Sequence, residues 1–248
     1  MNDLRDWLHS HSVPLSGPDP ALPESDLAPL LDMLRPARLV GLGEASHGGS
    51  DFFRLKHRII AGLSRDPSGL GHVLFESPLP RSLQTQAWVH GGVGSIDEAL
   101  MGLGFQIWWT QEVAELLEWL RSSAPHTELV GIDIQDPDRA VDALDCPQLG
   151  LTSLTAGSWH DSTPAERRAL VSGMVGLDTP MARNIRRWVD MANAADGGHD
   201  VRERAMAEHA LEALGSTEGR SVLWAHNGHV SRGGMAGWDL SSMRTQTP

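Results

Sequence analysis

Four short apolar segments, each running into a residue able to do chemistry, constrain this chain more than any other feature. ARLVGLG ends near Gly43, just ahead of Glu44; GHVLFE (71–76) closes on Glu76, ELVGID (128–133) on Asp133, and SVLWAH (221–226) on His226. Each run is short and bounded by proline, glycine or polar residues, which predicts buried strands rather than pieces of helix. Helical patterns separate them. One spans 24–35, and another starts at Ser50 as N-cap, with Phe52, Phe53, Leu55, Ile59, Ile60 and Leu63 on its apolar side. Further patterns fall near 80–90, 95–103, 109–122, 164–175, 180–195 and 200–214, with a stretch broken by proline and glycine running to about 160. Strands separated by helices imply an α/β fold with a mostly parallel sheet flanked by helices. At 248 residues the expectation is a single α/β domain over 1–248. Its helical region at about 135–215 either packs on the sheet or rises over one edge as a reduced cap.

In an open parallel sheet, ligands bind beyond the carboxyl ends of the strands. That rule brings Glu44 and His47, Glu76, Asp133, and His226 with His229 to one edge. No single motif among them is specific; their convergence is. Glu76 is the hardest to explain structurally, because an acid closing a buried apolar strand needs a partner or a shifted pKa. The catalytic candidates are therefore His47, Glu44, Glu76, His226 and His229, and the substrate-binding candidates Lys56, Asp51, Asp133 and Trp109. His9, His11, His72, His90, His126, His160, His199 and His209 lack such a setting, and His57 reads as lining a helix surface. Trp108, Trp109, Trp188 and Trp238 suit an apolar pocket floor, although core packing is the commoner use of tryptophan. Cys146, the lone cysteine, reads as structural.

Several function classes fall away. A formal charge of −12 opposes nucleic-acid and anionic-membrane surfaces. The first residues lack the apolar core of a signal peptide, and no run is long enough to span a bilayer, so a soluble cytoplasmic protein with a small-molecule substrate is expected. GLGEAS imitates a dinucleotide fingerprint but lacks its third glycine, and Glu44 would repel a pyrophosphate. The chain has no GxSxG and no tyrosine, which removes the nucleophile elbow and phenolic catalysis. The glutamates and histidines are credible zinc or iron ligands, but their spacing matches neither HExxH nor a common zinc signature. Metal-free acid/base catalysis by histidine, with no cofactor, is the preferred expectation. The same groups would serve hydrolysis, isomerisation, elimination or cyclisation, and a metal-dependent hydrolase or a binding module remains an alternative. Oligomeric state is not legible.

GEASHGGSDFFRLKHRII resembles the opening motif of the erythromycin esterase family: Gly-Glu-x-x-His, then an acid, an aromatic and a basic residue on the next helix. FESP, WWTQEVAELLEWLR, GIDIQDP, VRERAMAEH and WAHNGHVSR resemble its later blocks in the same order, over about 38–233. The resemblance implies an α/β fold with a helical cap and ester hydrolysis, as in macrolide lactone opening, without a covalent enzyme intermediate. It implies His47 as general base, supported by Glu44, with Glu76 and His226 lining the site and His229 as the second histidine of its block. Lys56 stands where the family usually has arginine, keeping the charge but losing the bidentate fork. The chain is shorter than the family's members, which implies a smaller cap and a different or smaller substrate.

Overall fold

The computed structural model describes residues 2–144 and 158–231. Cys146, Trp238 and most of the stretch broken by proline and glycine lie outside the described residues. Four parallel strands form one sheet: β1 (Leu39–Glu44), β2 (Leu70–Pro78), β3 (Glu128–Asp133) and β4 (Arg220–His226), in the order β1-β4-β2-β3. The last strand in sequence is therefore inserted between the first two. Glu44 pairs in register with His226. β2 continues through Ser77 and Pro78, where the sequence had suggested a stop; the register shifts between Phe75 and Pro78, and a strand end is where proline can sit without breaking a ladder.

Period-two alternation sorts the strand residues between two layers. Val40, Val73, Phe75, Leu129, Val222 and Trp224 join a large core with helices α2 (Ala28–Leu34), α3 (Ser50–Ser64), α5 (Ile96–Met101) and α6 (Gln111–Ser123). Leu74, Ile132 and Leu223 face the other way, against Met206 and Ala210 of α10 (His199–Gly215). Within the large core Phe53, Phe75, Trp108 and Trp224 form an aromatic cluster, with ring centroids 4.8–5.7 Å apart in the contacting pairs. It lies beneath the carboxyl ends of β2 and β4.

α10 packs on the sheet, while α7 (Pro137–Leu144), α8 (Pro164–Gly173) and α9 (Pro180–Asn193) build a separate core around Trp159, Ile185 and Trp188 with the start of α4 (Leu79–Val89). Thr163 closes the N-terminus of α8 with a reciprocal capping box to Glu166, and Ser95 does the same for α5 with Glu98. Ser50 is not the cap of α3. Gly49 holds that position, and Ser50 Oγ donates instead to Glu112 Oε1 (2.5 Å), tying α3 to α6. A short helix before the sheet, α1 (Asn2–His11), had no counterpart in the sequence reading. Among the described residues no helix is long and apolar enough to cross a membrane.

Phe75 is fully buried between two tryptophan rings. Phe75→Ala is expected to lower unfolding free energy by roughly 3–5 kcal/mol in denaturant titration; a loss under about 1 kcal/mol would mean that the aromatic cluster is not the packed core described.

Candidate active site

Two carboxylates, Glu44 and Glu76, leave the sheet on adjacent sides of β4, and each is almost fully buried. An ionised acid at such depth must be paired. Glu44 is paired from two directions. The Lys56 ammonium, reaching in from α3, contacts Oε2, and His47 Nδ1 lies 3.0 Å from Oε1. Lys56 also sits 4.8 Å from the Trp224 ring centroid and donates to the Ala225 carbonyl. Burial pulls Lys56 down to about 7, with Glu76 opposing, and its ammonium nitrogen rests against the Glu44 carboxylate. The turn after β1 depends on Gly48, whose φ of 75° is a left-handed conformation natural to glycine, and through it the chain reverses into α3.

His47 is a quarter exposed, its ring edge-on to Trp108 (5.1 Å) and 5.0 Å from the His226 ring. Desolvation lowers its pKa below the ordinary 6.5; Glu76 opposes this, while His226, His229 and Arg202 add to it. The hydrogen bond to Glu44 assigns the proton to Nδ1. Nε2 then carries the lone pair, 4.0 Å from Glu76 Oε1.

Glu76 is held from β4 and beyond. Its Oε2 accepts from the His226 backbone N–H (2.8 Å), its Oε1 lies 3.0 Å from His229 Nε2, and Arg202 Nη2 is 3.7 Å away. Burial pushes the Glu76 pKa up, but the His229 and His226 hydrogen bonds and neighbouring cations outweigh it, and the net shift is downward. His229 is gripped on its other side by Glu203, 2.8 Å from Nδ1. Burial disfavours its charged form, yet the two carboxylates prevail and raise it to about 9. His229 is thus an imidazolium at neutral pH, whereas His47 is neutral. His226 differs again: its Nδ1 accepts from the Gly228 N–H (3.1 Å), which leaves its proton on Nε2, facing the Ala45 carbonyl at 3.4 Å.

The fold therefore gathers all five catalytic candidates, His47, Glu44, Glu76, His226 and His229. Two expected substrate-binding residues serve the site from behind. Lys56 is buried on Glu44, and Asp133, fully buried, receives a two-nitrogen grip from Arg202 (Nη2 2.5 Å, Nε 3.2 Å). Asp51 is exposed on the first turn of α3, and Trp109 is exposed beside the buried Trp108. Arg202 and Glu203 were not singled out from the sequence. They fall within VRERAMAEH, one of the blocks that resembles the family, but nothing in the run alone points to these two residues, and it is the packing of α10 on the sheet that turns both inward. His57 is not on the surface as expected. It is buried beside Trp119, neither ring nitrogen has a hydrogen-bond partner among the described residues, and burial holds its pKa near 4. Among the described residues no group of three or more His, Cys, Asp or Glu side chains is arranged to hold a metal ion.

Comparisons with known proteins agree with the fold. The Erythromycin esterase family profile matches residues 68–145. The Bacillus subtilis (strain 168) protein YbfO, which carries a provisional hydrolase name, is 26% identical over 132 residues, 52% of this chain and 28% of that protein. A Bacillus cereus protein of known crystal structure is 26% identical and superposes with a TM-score of 0.76, covering 94% of this chain and 68% of the other. A succinoglycan biosynthesis protein superposes at 0.79 (23% identity, 94% and 68% coverage). A mutant of erythromycin esterase EreC, in its open conformation, superposes at 0.60 (18% identity, 83% and 64% coverage); these last two likenesses speak to the fold. Residues 68–145 are thus similar to the erythromycin esterase family, and the fold is shared with solved proteins that include an erythromycin esterase.

Proposed function

We propose that the chain is a hydrolase that opens an ester or lactone by general-base catalysis at His47, with no metal ion and no covalent enzyme intermediate. One observation carries the reading: a neutral imidazole anchored at Nδ1 by Glu44 presents Nε2 across a 4.0 Å gap to the Glu76 carboxylate. That gap is too long for a direct hydrogen bond and suits a water donating one proton to each group. His47 takes a proton from this water as its oxygen bonds to the ester carbonyl carbon. Glu44 stabilises the imidazolium that forms, as a carboxylate does in other histidine-based hydrolases. When the C–O bond breaks, His47 returns the proton to the departing alkoxide. His229, held cationic by Glu76 and Glu203, supplies fixed positive charge beside the developing oxyanion, and the Gly48 and Gly49 amides lead into the N-terminus of α3 on the same side. Arg202, anchored on Asp133, places a guanidinium 3.7 Å from Glu76.

The substrate we infer is a small or polyketide-like metabolite, such as an antibiotic or another product of secondary metabolism. Phe52, Ile107 and Trp109 are exposed on the segments that carry or adjoin α3 and Trp108, which supports an apolar body on the substrate. The net charge of −12 supports neither nucleic acid nor an anionic membrane as partner. The erythromycin-esterase likeness and the hydrolase name of YbfO support hydrolysis over cyclisation or elimination by the same residues. Turnover in ¹⁸O-labelled water tests this directly: hydrolysis places label in the product acid, and unlabelled product would leave the cyclase or isomerase reading.

His47→Asn keeps a donor toward Glu44 but removes the base. Its kcat is expected to fall by about 10²–10⁴ with folding unchanged, and near-native turnover would dismiss His47 from the role. The pH profile follows from the two imidazoles. His47 works neutral and its pKa lies below 6.5, so activity climbs with pH through an acid limb below that value. His229 works protonated with a pKa of about 9, so activity declines as pH passes 9. Glu203→Gln removes one carboxylate from His229 and is expected to move the alkaline limb down by roughly 1–3 pH units while leaving the acid limb in place. An unmoved alkaline limb would show that His229 does not contribute as a cation. Dialysis against a chelator is expected to leave kcat/KM unchanged, and a loss restored by one divalent metal would replace this mechanism with a metal-dependent one.

A further inference from the structure

On the β3 side of the catalytic edge stands an ion pair that the proton chemistry at His47 does not use. Arg81 lies on the first turn of α4, three residues beyond Pro78, and Asp136 lies three residues beyond Asp133. Pro78 and Asp133 are register partners at the ends of β2 and β3, so the two side chains meet just past the strand ends, where Arg81 Nε donates to Asp136 Oδ2. The arginine stem rests on the turn that carries Trp108. Its Cδ is 2.8 Å from where a side chain at Gly104 would begin, and Gly104 holds a φ of 81°, so a bare backbone passes over the stem there. Four residues on, Trp108 meets His47 edge-on and donates to the Glu76 carbonyl.

Asp136 is a fixed partner. Among the described residues it is the one non-glycine at positive φ (71°), a left-handed form that aspartate tolerates better than most residues. Its Oδ1 accepts the Arg139 N–H at 3.1 Å, capping α7, while Oδ2 takes Arg81 Nε. One carboxylate therefore serves both a helix N-terminus and a guanidinium. The other basic groups of this edge are committed more fully. Arg202 grips Asp133 through two nitrogens with Glu76 3.7 Å away, His229 lies between Glu76 and Glu203, and Lys56 is buried on Glu44. The Arg81 side chain is 38% exposed, and among the described residues neither of its Nη atoms has a hydrogen-bond partner. Its end-on pair of N–H groups is left open to solvent, the fork that a carboxylate fits.

We propose, resting on hydrolysis at His47, that Arg81 selects the substrate: the preferred ester or lactone carries a carboxylate on its apolar body, remote from the reacting carbonyl, and Arg81 Nη1 and Nη2 receive it. A singly charged carboxylate suits this place better than a phosphate dianion, because Asp133 and Asp136 stand at the same strand ends and the chain as a whole carries a charge of −12. Arg81 binds and takes no part in proton transfer.

Two ligands that cannot be turned over as esters test this by calorimetric titration of the whole chain: octanedioic acid closed at one end as its 4-nitroanilide, and the same molecule with its free acid replaced by a primary amide. The acid is expected to bind about tenfold or more tightly than the amide. Arg81→Met keeps an apolar stem over Gly104 and removes the fork, and should abolish the preference by weakening the acid alone, whereas a merely structural role would weaken both ligands. The matching 4-nitrophenyl ester of the acid reads hydrolysis separately. Acid-selective binding that vanishes in Arg81→Met, with no hydrolysis of the ester, would uphold the carboxylate contact and remove the hydrolytic reading. Hydrolysis without acid-selective binding would do the reverse. The proposal is overturned by no saturable binding of the acid, by equal binding of the two ligands, or by a preference that survives Arg81→Met.

Discussion

Strand β4 is hydrogen-bonded along both edges, to β1 on one side and β2 on the other, and the arrangement of the site follows from that placement. A strand that enters last in sequence but sits centrally must bring the turn that follows it, Asn227–Val230, between the two glutamates. The sheet makes room at β1. A side chain at Gly43 would begin 2.1 Å from Asn227 Oδ1 and 2.7 Å from Val230, so only a bare backbone lets the turn rest there. With the turn seated, the His226 amide and the His229 ring reach Glu76 from one short segment.

Burial then imposes the electrostatics. Three carboxylates lie deep at the strand ends, and each is met by a basic side chain from another element: Glu44 by Lys56, Asp133 by Arg202, and Glu76 by His229. Leaving any of them alone would cost several kcal/mol, so the pairs are as much a condition of folding as of chemistry. What distinguishes the two central imidazoles is the number of acids each one touches. His47 has one close carboxylate and a partly desolvated ring; His229 has two. Their proton affinities are driven apart, so that one site holds a neutral and a charged imidazole at the same pH.

The sheet residues on the two faces have separate duties. One side carries the aromatic cluster, whose Trp108 braces His47 and donates to the Glu76 carbonyl, and whose Trp224 lies under Lys56. The other side carries α10, which sends Arg202 and Glu203 to the carboxyl edge of the sheet and places His209 and Ala213 on the wall of a cavity toward its amino-terminal half.

The strands and most long helices were legible because their signals are local: hydrophobic period, bounding prolines and glycines, and acids or histidines at run ends. Asp133 and Glu76 were marked by their positions at the ends of apolar runs, and His47 and Glu44 by the turn that holds them. The strand order was not legible, since nothing local tells SVLWAH that its neighbours are β1 and β2 rather than β3. Nor were the inward turns of Arg202 and Glu203, the burial of His57, or the withdrawal of Lys56 and Asp133 into ion pairs, because each depends on which surface packs against which. The sequence by itself determined which chemical groups stand at the strand ends. Tertiary structure alone decided which of them meet, and so which histidine is neutral and which is charged, because a proton's affinity is set by neighbours brought close through folding rather than by neighbours along the chain.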